Sequence, residues 1–326
     1  MCAHNISKYE HTIRLKKLLM KLPLTLICII YAFFSKKTFG QQDPHFTQYM
    51  FNTMSINSAY AGSRGQPVIT ALARTQMIGF EGGADTQNLS YDSSLGSSGL
   101  GMGVNLMSDE IGPSSEVYFD FNLSYVIKTS DLGKLSLGLK LGGKVLNIDW
   151  GLGSVIDYES LFENNINGKF LPTLGTGLYY YNESWYIGLF VPNVFKSEYY
   201  DSVLESEAII AVEKMHFFLM LGYVFDLNES VKFKPSALAK LVSGAPLSLD
   251  ISANFLLDNK YRAGISWRWG DSISTLFAFQ ITESFLLGYA YDLATSNYHI
   301  DNSGTHEIML RYEILDSLNP NSPRFF

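Results

Sequence analysis

The residues best suited to chemistry are His306 and Glu307, with Arg311 close by and Asp292 a short loop upstream. A histidine beside a carboxylate can bind a metal or move a proton. A zinc site of that kind needs a second histidine at fixed spacing, and the chain holds no HExxH. The surrounding residues alternate with period two, which sends His306 and Glu307 to opposite faces. The reading that remains is an ion-pair network of Asp292, Glu307 and Arg311 on a polar face. Lys232, Lys234, Asp250, Arg262 and Arg268, with Lys240 and Glu313, lie mostly on similar polar faces. They would line a conduit or pair with a plug. Gly99, Gly101 and Gly103 are not a nucleotide loop, because no helix follows them; glycine there relieves crowding or permits bending. No nucleophile–base pair and no paired carboxylates can be placed. The chain reads as non-enzymatic, with no cofactor and no metal.

The elements that must position these charges are strands. Val117, Phe119, Phe121, Leu123, Tyr125 and Ile127 alternate with Asp120, Asn122 and Ser124. Leu247, Leu249, Ile251, Ala253, Phe255 and Leu257 alternate in the same way with Ser248, Asp250, Ser252 and Asn254. Such segments begin near Val68, Asp85, Gly99, Ser114, Gly133, Phe170, Glu183, Glu213, Ser230, Pro246, Lys260, Asp271, Glu283 and Thr305. Each spans about 10–15 residues, which suits a tilted membrane strand better than a soluble sheet. If the first strand runs outward, the inward turns near Ser97, Ser130, Asn182, Asn228, Asn259 and Thr282 are tight. The longest connections, 149–169, 193–212 and 294–304, all fall outward, as in outer-membrane barrels. The fold class is therefore all-β, a transmembrane antiparallel β-barrel of about 14 strands.

Residues 1–40 have the order of a secretory signal peptide: basic Arg14, Lys16, Lys17 and Lys21, apolar 22–34, then Thr38 and Gly40. Cys28 is not preceded by the small residues of a lipoprotein site. Both cysteines lie in this segment, so the exported remainder has no disulfide framework. The whole chain carries a formal charge of −7; without residues 1–40 it holds 17 Lys/Arg against 30 Asp/Glu, a charge of −13. That balance disfavours a nucleic-acid partner. Residues 41–67 do not alternate, and are rich in amides and aromatics such as Phe46, Gln48, Tyr49, Phe51, Asn52 and Tyr60. They are expected to plug the lumen or lie across the periplasmic mouth. The barrel is assigned to 68–314 and a tail to 315–326. The acidic stretch 198–213 reads as a solvated loop.

Specific words also stand out. Asp43-Pro44-His45-Phe46-Thr47-Gln48-Tyr49-Met50-Phe51-Asn52, followed by Asn57-Ser58-Ala59-Tyr60-Ala61-Gly62, resembles the opening of the PorP/SprF family. Arg74-Thr75-Gln76 with Gly79-Phe80, and Gly99-Leu100-Gly101 through Gly112-Pro113, match later blocks of that family. So do Val191-Pro192-Asn193, Lys234-Pro235-Ser236, Gly288-Tyr289-Ala290-Tyr291-Asp292 and Gly304-Thr305-His306-Glu307. Met77, Ala84 and Ser58 depart from it, standing where the family prefers Trp, Pro and Pro.

The resemblance implies an outer-membrane component of the type IX secretion or gliding apparatus of Bacteroidota. Expected partners are outer-membrane lipid, the periplasmic ring or peptidoglycan-associated components, and a large secreted adhesin as cargo. On this reading Asp43, Pro44, Phe46, Gln48, Tyr49, Asn52, Asn57, Tyr60, Gly62, Arg74 and Gln76 are the partner-facing candidates. The rival function for the same barrel is a diffusion channel or a hydrophobic-compound transporter.

Overall fold

A computed structural model describes residues 44–79, 82–152, 165–195, 215–243, 245–295 and 303–314. Residues 1–40, read from the sequence as a signal peptide, lie outside them, as do Asp43, the acidic stretch 198–213 and the tail 315–326. Fourteen antiparallel strands follow one another among the described residues. They are β1 (Val68–Thr75), β2 (Asp85–Ser94), β3 (Leu100–Ile111), β4 (Ser114–Lys128), β5 (Lys134–Ile148), β6 (Ile166–Tyr181) and β7 (Trp185–Val191). β8 comes in two pieces, His216–Tyr223 and Phe225–Asp226. Then come β9 (Val231–Val242), β10 (Ser248–Leu257), β11 (Tyr261–Arg268), β12 (Ser272–Gln280), β13 (Phe285–Ala294) and β14 (Thr305–Glu313). Each strand pairs with its neighbours in sequence, and β14 pairs back onto β1 from Val68↔Glu313 to Thr75↔His306. That last ladder closes the barrel and leaves no free edge for hydrocarbon to meet.

The alternation is inside-out. On β4, Phe121 is 40% exposed while Asn122 is 2% exposed. Phe119, Leu123 and Tyr125 share the outer face with Phe121; Asp120 and Ser124 face inward with Asn122. An apolar outer face and a buried polar inner face mark a membrane barrel, since water gives no reason to expose phenylalanine and bury asparagine.

Turn chemistry fixes the register. The β10–β11 hairpin turns through Asp258 and Asn259, at φ 50° and 51°. Asp and Asn tolerate that left-handed backbone better than other side chains do. Several strand starts differ from the sequence expectation by two residues or more, β7 at Trp185 and β13 at Phe285 among them. β6 begins at Ile166, because 166–169 already pair with β5 across a shift in register between Leu146 and Ile148. β8 begins at His216 and β10 at Ser248. β8 breaks at Val224, where the facing stretch of β9 contains Pro235; proline has no N–H to give the ladder. The Val224 N–H instead donates to Ser184 O at 2.7 Å.

Aromatic pairs crowd the short-turn end. Tyr180–Trp185, Tyr223–Phe225, Phe233–Phe255, Tyr261–Phe279 and Phe285–Tyr312 lie with ring centroids 4.4–5.3 Å apart. Rings in this position form an interfacial girdle. Short turns belong to the periplasmic side of such barrels, so this end is taken as periplasmic and the opposite end as outward.

Residues 44–67 run through the lumen, with short 3-10 turns at Thr53–Ser55 and Ser58–Tyr60. Glycines on the inner wall make room for them. A Cβ on Gly138 would lie 2.1 Å from Ala59 N, and one on Gly101 would lie 2.2 Å from Ala61 O. Gly177 and Gly288 stand in the same relation to Asn57 and Gln48. This explains two glycines of the Gly99-x-Gly101-x-Gly103 run, since Gly101 and Gly103 face Ala61 and Met54, while Gly99 sits in the turn at φ 79°. Ser58 is fully buried behind Gly138. In Ser58→Cys, the thiol is expected to resist a bulky maleimide in the folded barrel. Adding Gly138→Val should expose it, with labelling at least tenfold faster. Equal rates in the two backgrounds would contradict the packing described.

Candidate functional site

The polar inner faces converge on residues 44–67 in three clusters. The central one is built around Arg74 on β1. Its register partner on β14 is Glu307, and Asp292 comes from β13. Arg74 Nη1 lies 2.8 Å from Asp292 Oδ2 and 3.0 Å from Glu307 Oε2, and donates to Thr47 Oγ1 at 2.9 Å. Thr47 Oγ1 donates to Asp292 Oδ2 at 2.7 Å. The backbone N–H groups of Thr47 and Gln48 donate to the two Glu307 oxygens, each at 2.8 Å. Arg74, Asp292 and Glu307 are all buried. One guanidinium and two carboxylates thus hold the N-terminal segment through its own backbone. Hydrogen bonds between charged groups or to them are the strong ones, about twice a neutral pair.

A second cluster lies toward the periplasmic end. Arg64 Nη2 donates to Glu313 Oε1 at 2.6 Å, and Gln66 Nε2 donates to Glu313 Oε2 at 2.9 Å. Arg311 Nε lies 3.0 Å from the same Glu313 Oε1, and Gly62 N donates to Asp92 Oδ1 at 3.2 Å. Gly62 adopts φ 67°, and a Cβ there would lie 2.8 Å from Ser93 O, so the turn into β1 needs glycine. The third cluster is outward. Arg268 Nε donates to Asp250 Oδ1 at 2.9 Å, and His45 Nε2 approaches Asp250 Oδ2 to 3.4 Å. Burial lowers the His45 pKa well below its ordinary value, and Arg268, Lys240 and Arg74 lower it further. The ring is therefore neutral, and its contact with Asp250 is not an ion pair.

The other candidates distribute plainly. Asn52 Nδ2 donates to Asn88 Oδ1 at 2.8 Å, and its Oδ1 accepts from Ser90 at 3.0 Å. Asn57 donates to Leu178 O at 3.1 Å and accepts from Ala59 N at 3.0 Å. Tyr60 packs edge-on against Tyr179, and Phe46 and Tyr49 belong to the same buried apolar cluster. Burial pushes the Tyr49 hydroxyl up to about 12. Lys234 is buried with its ammonium 5.7 Å from the Tyr186 ring. Arg262 donates to Gln280 Oε1 at 3.0 Å. Pro44 borders a cavity in the outward half of the lumen.

Two candidates stand apart. Lys232 pairs with Asp226 at the periplasmic rim, and Gln76 continues the β1–β2 ladder at the outward end, donating to Ala84 O at 2.8 Å. His306 faces outward from the barrel wall and meets the Tyr289 hydroxyl at 2.6 Å, away from Glu307. Sequence reasoning missed Arg64, Gln66 and Asp92 as partners. Asp92 carried a signal, being in phase with Thr86, Asn88 and Ser90 on β2. Among the described residues no group of three or more His, Cys, Asp or Glu is placed to hold a metal ion.

Removing Arg74 leaves two buried carboxylates facing each other. Breaking a buried pair from one side costs about 3–5 kcal/mol, so Arg74→Gln should lower the urea-unfolding free energy in vesicles by that order. Adding Glu307→Gln should restore part of it; additive losses would refute the coupling. The pH dependence follows from His45. The unfolded imidazole takes up a proton near pH 6.5 and the buried ring does not. The unfolded state then binds more protons, so stability falls as pH drops below about 6.5. The loss between pH 7.5 and 5.5 should be smaller in His45→Gln.

Comparisons with known proteins give one family and several distant likenesses. No curated protein matches the chain. Among solved structures, the toluene transporter TbuX of Ralstonia pickettii matches with a TM-score of 0.47 at 9% identity, over 81% of this chain and 93% of that one. A FadL homologue of Pseudomonas aeruginosa matches with a TM-score of 0.44 at 11% identity, over 85% and 96%. Omp33, an outer-membrane protein of Acinetobacter baumannii, gives 0.44 at 9% identity, over 76% and 98%. The model of the type IX secretion system membrane proteins PorP/SprF matches residues 38–312. The chain belongs to the PorP/SprF family of type IX secretion system membrane proteins.

Proposed function

We propose that this protein is a non-enzymatic, plugged anchor of the secretion or gliding apparatus in the outer membrane. Its working surfaces are then its two faces and not a conduit. The periplasmic turns dock ring or peptidoglycan-associated components, and the assembly supports secretion or surface display of a large adhesin-like cargo. The observation that carries this reading is the occupied lumen, held by Arg74, Asp292 and Glu307 against the backbone of Thr47 and Gln48. A diffusion channel would need that segment to leave, exposing buried charges in a low-dielectric interior. Family membership supports the secretion role.

Photocrosslinkers at the periplasmic turn positions Asp131, Asn228, Asn259 and Thr282 test the docking claim in cells. Capture of a periplasmic ring or peptidoglycan-associated component is expected, with loss of surface adhesin on deletion and unchanged nutrient uptake. A large steady conductance of the unmodified barrel in planar bilayers, with surface adhesin intact on deletion, would overturn the proposal in favour of a channel.

A further inference from the structure

The outward half of the lumen holds a cavity of about 100 Å³ between the N-terminal segment and the wall. Its apolar lining includes Phe46 and Ile56 from the segment, and Met107, Phe190, Phe218 and Leu238 from the wall. We propose that it is a binding site for a small neutral carbonyl compound with a short apolar tail.

The polar end of the site is built by the chain leaving β7. After Val191 the backbone turns inward over Gly175, where a Cβ would lie 2.6 Å from Pro192 O and 2.8 Å from Val191 O. Val194 N then donates to Leu174 O at 2.7 Å, which pins the turn. This buries Asn193, 6% exposed, in the cavity lining. Its Oδ1 accepts from Leu174 N at 3.3 Å and Phe195 N at 3.1 Å, so the orientation of the amide is fixed. The Nδ2 donor is left with no acceptor among the described residues. A buried amide donor without an acceptor is costly and rare in folded proteins. An acceptor oxygen from a ligand would satisfy it.

Charge and size narrow the class. Lys140 lines the same cavity, but its ammonium lies 3.3 Å from Asp120 Oδ1, so its charge is already offset. The Ser55 and Thr173 hydroxyls in the lining already donate to Asn52 O and Asp120, so the unpartnered Asn193 donor and the offset charge favour a neutral carbonyl or carboxamide over a carboxylate. An apolar cavity of about 150 Å³ holds a benzene molecule. A site smaller than that, bounded by Phe190 and Phe218, has no room for a ring beside a carbonyl and admits a carbonyl group with a tail of one or two carbons.

The test uses the full barrel in lipid nanodiscs with trifluoroacetamide as the probe and 1,1,1-trifluoroethane, dissolved from the gas phase, as the comparator, read by fluorine NMR against empty nanodiscs. Saturable trifluoroacetamide binding, displaced by unlabelled acetamide, is expected, with trifluoroethane at least fivefold weaker. Asn193→Asp keeps both accepted hydrogen bonds and removes the free donor. It should weaken trifluoroacetamide at least fivefold while leaving trifluoroethane unchanged. Phe218→Trp, checked for barrel formation by heat-modifiable gel mobility, fills the cavity from the wall and should abolish both signals. The absence of a saturable component above empty nanodiscs would overturn the proposal. So would equal binding in the unmodified protein and Phe218→Trp.

Discussion

Hydrocarbon tolerates no unpaired peptide group, and that constraint sets the rest of this molecule. It forces β14 onto β1, so that every strand has two partners. It also forces apolar side chains outward, which leaves Thr70, Arg74, Asn88, Asp120, Asn122 and Glu307 facing the lumen. A ring of fourteen strands is too wide for its own side chains to fill, as the interior is already filled at about eight strands. Something must therefore satisfy the polar wall. In this chain residues 44–67 do so, meeting the wall with backbone N–H groups, amides and the guanidinium of Arg64.

The plug and the wall are matched as a set. Arg74 meets Asp292 and Glu307, whose oxygens also accept from Thr47 and Gln48; Arg64 and Arg311 meet Glu313; Arg268 meets Asp250. Such groups are expensive to bury singly and tolerable together. Glycines at 101, 138, 177 and 288 do the steric part, each standing where a Cβ would strike the segment. Charge fixes the segment at both ends of its path, and small residues let its middle seat close to the wall. A barrel arranged this way spends its interior on its own chain. That leaves the rims and the outward cavity to meet other molecules.

Much of this was legible in the sequence because period two is a strong signal. Fourteen segments, the tight inward turns and the separation of His306 from Glu307 all follow from alternation alone. The pairing of Arg74 with Glu307 did not, because register between the first and last strands depends on how the barrel closes. Arg64 and Gln66 were missed because residues 41–67 carry no period from which a face can be assigned. Lys232 reads as a lumen charge by alternation, yet β9 starts at Val231, so it sits at the rim beside Asp226. Asn193 lies just past a strand end, where the chain turns inward over Gly175; no local pattern announces that turn.

The central claim is that residues 44–67 are part of the folded barrel and not a tethered segment. Hydrogen exchange of the Thr47 and Gln48 amides, in lipid nanodiscs at neutral pH, tests it most directly. Both donate to Glu307 inside the lumen, so they should exchange as slowly as the amides of β1 and β14. Exchange of these two amides at the rate of an exposed loop would contradict the account.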